Sequence, residues 1–287
     1  LGNVICGLYY LESYCTQLAS GRVSGTVQPV VTKPRAGAVK SDARFGFAQP
    51  AFAAGLADAV AAARDNGVAT FAVANAHTCT SLGFFTEQIA AQGLIAIGMT
   101  NASPVVAPPG GNTAVIGTNP IAMTVPGTGA PRMHFDFSTS AVALGKITMA
   151  KAAGQAIPLG WAVDADGQPT TDPDAALKGA LVSAGGYKGW GFGLMVELLA
   201  AGMTGSVNSL DVKGLKLPEG APHGLGQFYI LMDPTTYGDD FSARFARVAQ
   251  AVAAQDGARI PGADRRVRDV VDVPDALWAL VDTLAAA

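Results

Sequence analysis

The stretch from Gln49 to Thr100 constrains the fold most. Pro50 opens an Ala-rich helical segment, AFAAGLADAVAAARDNG, that Asn66 and Gly67 stop. An apolar run of strand length follows at Val68–Ala74. A second helix spans about Ser81–Gln92 and ends at Gly93, and Leu94–Thr100 is again a strand. Strands and helices that alternate at this spacing bury the sheet beneath the helices, so the sequence predicts an α/β layer.

The flanks read differently. The first 25 residues are helical and end in the polar connector Ser20–Gly25, and Val27–Val31 is extended. Short segments follow Ala114, and Asp-Gly at the centre of Ala162–Thr171 marks a turn between extended arms. The glycine-rich Gly185–Gly193 leads into an apolar helix, LMVELLAAGM. Gln227–Met232 is a last buried strand, and helices over about Phe241–Gln255 and Pro274–Ala287 close the chain. Apolar residues make up 49% of the 287, yet no run approaches the 18 or so that span a bilayer, so they belong to a core. They also exceed what a lone globule needs, which predicts a buried homodimer interface. A net charge of -3 argues against a nucleic-acid or anionic-membrane binder. Three cysteines, Cys6, Cys15 and Cys79, without CxxC spacing predict a reducing, cytoplasmic setting and no zinc site. Leu1 reads as the interior of a helix, so we expect the sequence to be truncated at its N-terminus.

Several constellations could carry chemistry. Glycines before the helix after Gly193 let backbone amides approach a phosphate, and Lys188 adds charge; the same glycines could equally serve close helix packing. The spacing matches neither a P-loop nor the fingerprint after a first Rossmann strand, so a conventional Rossmann domain is disfavoured. In GTNP, Thr118 and Asn119 could hold a carboxylate or simply form a turn. In FDFSTS, Asp136 could accept from ribose hydroxyls or cap a helix near Ala141, while Ser138 or Thr139 could donate to phosphate. Of the three histidines, His77 follows an apolar strand where α/β sites form, so it is either catalytic or structural. His134 adjoins the FDFSTS strand, and His223 reads as a surface loop residue. Arg259, Arg265 and Arg266 around Pro261-Gly262 make a basic loop that could meet a pyrophosphate. No histidine or cysteine has metal-ligand spacing.

Taken in order, YCTQLASGRVSG, FGFAQPA, NASPVVAPPGG, GTNP, FDFSTS, GKI, IPLGWAVDADGQPTTDP and GGYKGWGFGLMVELLAAGMTG resemble the type-2 malate/L-lactate dehydrogenases. That family includes ureidoglycolate dehydrogenase, sulfolactate dehydrogenase and Δ1-piperideine-2-carboxylate reductase. The resemblance implies a non-Rossmann α/β fold with a central mixed sheet. A helical domain from both chain ends (1–35 and 137–287) would surround an inserted α/β segment (36–136). It implies a homodimeric oxidoreductase that uses NAD or NADP on a small 2-hydroxy or 2-oxo acid, or alternatively on a cyclic imino acid. By position, Asp136, Phe137, Ser138, Thr139, Lys188, Gly189, Trp190, Pro261 and Gly262 would hold the dinucleotide, and Thr118 and Asn119 the substrate. His77 lies beside the place of a histidine base of the ureidoglycolate branch, which Thr78 takes in a gapless alignment. Lys146, in GKI, stands where the hydroxy-acid enzymes have lysine and the piperideine reductases an acid, whereas FGFAQPA reads closer to the reductases.

One departure matters. The family's Ser-His-Gly proton donor and the arginine four residues on, which grips the substrate carboxylate, correspond here to Cys6 and Tyr10. True substitution would leave a catalytically impaired cofactor-binding homologue. Loss of the loop from the sequence would instead separate Gly7 from Leu8 by more than the 3.8 Å or so of one trans peptide.

Overall fold

A computed structural model describes residues 7–127, 132–263 and 270–285. Its centre is a seven-stranded mixed sheet ordered β1-β2-β3-β9-β4-β5-β6. In chain order the strands are β1 Val30–Arg35, β2 Ala38–Asp42, β3 Val68–Ala76, β4 Ile95–Thr100, β5 Ile121–Val125, β6 Met133–Phe137 and β9 Leu225–Met232; Ala162–Val163 (β7) and Ala180–Leu181 (β8) form a separate pair. Only β2 and β3 run parallel; the other neighbours are antiparallel. The sheet is wider than residues 36–136, because β1 and β9 enter it from outside that segment.

The helices are α1 Leu11–Ala19, α2 Ala48–Asn66, α3 Gly83–Ala90, α4 Leu144–Ala152, α5 Pro173–Lys178, α6 Tyr187–Glu197, α7 Phe241–Ala253 and α8 Asp275–Ala285. The alanines of α2 let it lie close on the sheet, and Gly67 ends it at φ 77°, the left-handed conformation that stops a helix. With α3 it covers one face, where Phe52, Phe71, Phe85 and Tyr229 pack as tilted and edge-on rings. On the opposite face, α6 and the π-helical turn Leu198–Met203 bury Met99, Val196, Ala200 and Phe228. A further cluster, built on Val106, Ile116, Ile147, Ile157 and Leu181, lies under α4 and α5. Helix α8 packs on α1. No helix of the described residues is long and apolar enough to cross a membrane.

Two sequence expectations are corrected. Helix α6 begins at Tyr187, inside the glycine-rich stretch, because Gly185 and Gly186 (φ 67° and 63°) make the turn and the later glycines serve packing. A Cβ on Gly189 would lie 1.8 Å from the Ala184 carbonyl oxygen, and one on Gly193 2.7 Å from Ile116. His223 is 2% exposed, drawn inward by a ring partner instead of lying on the surface. The Gly7 carbonyl accepts from the Tyr10 amide at 3.0 Å and opens the 3-10 turn Leu8–Tyr10. Cys6, Arg265 and Arg266 lie outside the described residues.

Where β9 meets the π-helical turn, a Cβ on Gly226 would stand 1.6 Å from the Ala200 carbonyl oxygen. Backbone cannot yield there as a side-chain tip could. Gly226→Ala should therefore cost roughly 3 kcal/mol or more, seen as a lower urea midpoint at unchanged m-value. An unaltered midpoint would show that the strand and turn are not held at this separation.

Candidate active site

The first turn of α6 carries Tyr187, Lys188, Gly189 and Trp190, so these residues occupy a helix N-terminus and not the loop before it. Unpaired amides and the partial positive charge of an 11-residue helix converge there, and Lys188 is exposed beside them. A cavity of about 480 Å³ opens next to Gly186, between the Ala107–Asn112 loop, the Asp166–Gln168 turn and Val182–Ser183. Ser183, 6% exposed, turns a hydroxyl without a partner into this neighbourhood.

Backbone hydrogen bonds bring the other motifs to α6. The Ala184 amide donates to the Thr139 carbonyl at 2.9 Å, and the Thr139 amide donates to that of Thr118 at 2.9 Å. The Thr139 hydroxyl reaches both the Thr118 and the Asn119 carbonyls at 3.1 Å. Asn119 is fully buried at φ 35°, and its amide nitrogen donates to the Gly193 carbonyl and to Glu197, each at 3.0 Å. The half-buried Thr118 hydroxyl makes no hydrogen bond among the described residues. Ser138 joins its hydroxyl to that of Ser140 at 3.0 Å.

Strand β6 forms one edge of the sheet and gathers the remaining positions. The His134 amide donates to the Pro261 carbonyl at 3.0 Å, which seats the Pro261-Gly262 loop along that edge. Phe137 is 53% exposed and stacks on Phe135 at 4.6 Å. Asp136 does cap a helix, but α3 and not one near Ala141: its carboxylate accepts the Gly83 amide at 2.7 Å, because α3 starts directly across β6. Loss of water around that carboxyl raises its pKa, against the downward pull of the Gly83 amide. Lys146 is exposed on the first turn of α4.

His77 belongs to a different cluster. Its ring is 2% exposed, stacks on His223 at 4.0 Å and 16°, and meets Tyr14 and Phe47 at 5.2 and 5.5 Å. Neither ring nitrogen has a hydrogen-bond partner. Burial, then the Arg22 charge, pulls its pKa down to about 4. Burial, then His77, takes His223 to about 3. Together the cluster grips Thr78 by both of its backbone groups: its amide donates to His223 Nδ1 at 3.3 Å and its carbonyl accepts from Tyr14 at 2.8 Å. Arg22 is tied to the carbonyls of Lys213, Gly214, Leu217 and Ala221 and braces the loop beneath. Near Tyr10, Lys216 Nζ sits 5.3 Å from the ring centre.

The structure brings together the GTNP turn, FDFSTS and the α6 entry that the sequence singled out. Sequence reasoning missed Glu197, which accepts from Asn119, Ser209, which donates to Glu197, and the aromatic partners of His77. Glu197 had left a signal, since it is the lone charged residue in LMVELLAAGM.

The malate/L-lactate dehydrogenase family model matches residues 2–274, and the chain belongs to that oxidoreductase family. It is 39% identical to the NADP(+)-dependent (2R)-3-sulfolactate dehydrogenase of Chromohalobacter salexigens, over 98% of this chain and 84% of the relative. It is 40% identical to a Delta(1)-pyrroline-2-carboxylate/Delta(1)-piperideine-2-carboxylate reductase of Pseudomonas putida, over 92% and 77%. The solved delta1-piperideine-2-carboxylate reductase of Pseudomonas syringae pvar. tomato superposes with a TM-score of 0.89 at 36% identity, covering 97% of this chain and 86% of that one.

The histidine stack sets a pH limit on stability. Both folded pKa values lie below the ordinary 6.5, so between about pH 6.5 and 4 the unfolded chain binds protons that the folded chain refuses. Stability should be full above that window and fall with pH inside it, by about 1.4 kcal/mol per histidine per pH unit. His77→Phe should flatten the fall in thermal midpoint between pH 6.5 and 4; an equally steep profile would remove the stack as its cause.

Proposed function

We propose that this chain is a cytoplasmic, homodimeric enzyme that interconverts a small 2-oxo acid and its 2-hydroxy acid by hydride transfer with NAD or NADP. A dinucleotide fits the residues present. The α6 entry offers amides and Lys188 to a pyrophosphate, while Asp136–Thr139 and Pro261-Gly262 line the neighbouring edge of the sheet. When bound, the cofactor supplies the hydride. The chain's own task is to bind, orient and move a proton. The Thr118 hydroxyl is free to donate to a substrate carboxylate.

Lys146 carries the choice of substrate. Reduction of a ketone puts negative charge on oxygen, which an ammonium stabilises and protonates; reduction of a protonated cyclic imine starts from a cation, which an ammonium opposes. We therefore assign Lys146 as proton donor. His77 is unsuited to the same task, because a buried imidazole with a pKa of about 4 is uncharged near neutrality. The similarity to reductases of pyrroline and piperideine carboxylates favours a second reading, a cyclic imino acid substrate.

Oxidation of NADH and NADPH at 340 nm with pyruvate, oxaloacetate and Δ1-piperideine-2-carboxylate separates the two. We expect the 2-oxo acids to be preferred and Lys146→Asp to reverse the preference; turnover of the imine alone by the unaltered chain would overturn the assignment. Lys188→Ala should weaken dinucleotide binding about tenfold in a fluorescence titration. Unchanged affinity would move the phosphates away from α6. Phe192, Met195, Leu198 and Met203 form an exposed apolar face on α6 and its π-helical extension, which supports the dimer. Light scattering at micromolar concentration should give twice the chain mass, and an active monomer would refute it.

A further inference from the structure

We propose that Glu197 is a positioning residue: it sets the turn that presents Thr118 to the substrate. The inference rests on Thr118 being a substrate contact, as proposed above. Glu197 ends α6 and is 6% exposed. Its carboxylate accepts from the Ser209 amide at 2.7 Å, the Ser209 hydroxyl at 2.5 Å, Asn208 Nδ2 at 3.3 Å and Asn119 Nδ2 at 3.0 Å. Every neighbour donates, so only a group that accepts on both oxygens fits; a glutamine would set its own N–H bonds against one of these donors.

This arrangement fixes Asn119. Its amide cannot be turned over, because the oxygen would then face the Gly193 carbonyl and the Glu197 carboxylate. Asn119 is thereby held at φ 35°, a left-handed conformation that a non-glycine residue keeps only when its surroundings impose it. Thr139 holds the same turn from its backbone side, through the Thr118 and Asn119 carbonyls. Two clamps on adjacent peptides fix the backbone that carries the Thr118 hydroxyl. Because Glu197 and Lys188 lie on the same helix, the substrate turn and the proposed phosphate site share one rigid support.

The test is a double-mutant cycle on the full chain, pairing Glu197→Gln with Thr118→Val. We expect each variant to raise KM for the 2-oxo acid about tenfold, with kcat within about threefold and dinucleotide affinity within about twofold. The double variant should be no worse than the worse single one. Effects on KM that multiply, or a loss confined to kcat, would overturn the proposal, since a merely structural glutamate would act independently of Thr118. Should Glu197→Gln fail to fold, Ser209→Ala, which keeps the carboxylate and removes its shortest bond, takes its place in the cycle with about a threefold rise in KM expected. A crystal structure of the same variant gives a readout apart from activity: Asn119 should leave the left-handed region. Asn119 unmoved in that structure would refute the brace, whereas an unaltered chain that turns over no acid at all would refute the functional reading.

Discussion

The structure depends on the insertion of β9 between β3 and β4. Those two strands, joined in sequence by α3, are not neighbours in the sheet; each pairs antiparallel with β9 over its length. Tyr229 shows why the wedge holds. It lies opposite Phe71 on one side and Gly98 on the other, is fully buried, and its ring packs on Phe52, Phe71 and Phe85. Remove β9 and the sheet falls into two three-stranded pieces with bare central edges. Its other face is covered by the α6 extension, so the strand that closes the sheet also seats the helix that organises the site.

That helix is where binding geometry and core packing meet. Its N-cap Gly186 lines the cavity, its middle lies against Ile116 and Thr139 through Gly193, and its last residue accepts from Asn119. On the far side of the sheet, the segment from His77 to Gly83 links the histidine cluster to Asp136, which holds its end by the Gly83 amide. That segment is thus held at both ends, by His223 and Tyr14 at Thr78 and by Asp136 at Gly83.

Much of this was legible in the sequence, and the reasons are local. Pro50, Gly67 and Gly93 punctuate an alternation that depends on neighbouring residues alone, so α2, β3, α3 and β4 fall close to where expected. Motif order identified the family because eight short stretches carry information that none holds singly. What could not be read depended on distant partners. His223 looks like a loop residue until His77, 146 positions away, stacks on it. For the glycines at 189 and 193 the sequence left phosphate approach and helix packing equally open, and only Ala184 and Ile116, brought against them by the fold, show the packing. Asp136 carried a correct signal for capping, but the helix it caps lies 53 residues earlier in the chain.

The late position of β9 also bears on how the chain is made. Synthesis delivers β1 to β6, with their covering helices, before Leu225–Met232 has left the ribosome. Until then β3 and β4 expose unsatisfied backbone edges flanked by Phe71, Val73, Ile95 and Met99, the kind of surface that recruits strands from other molecules. The nascent protein must pass through this open-edged state on every round of translation, and its yield should therefore be most sensitive to chaperone supply during synthesis of its last quarter.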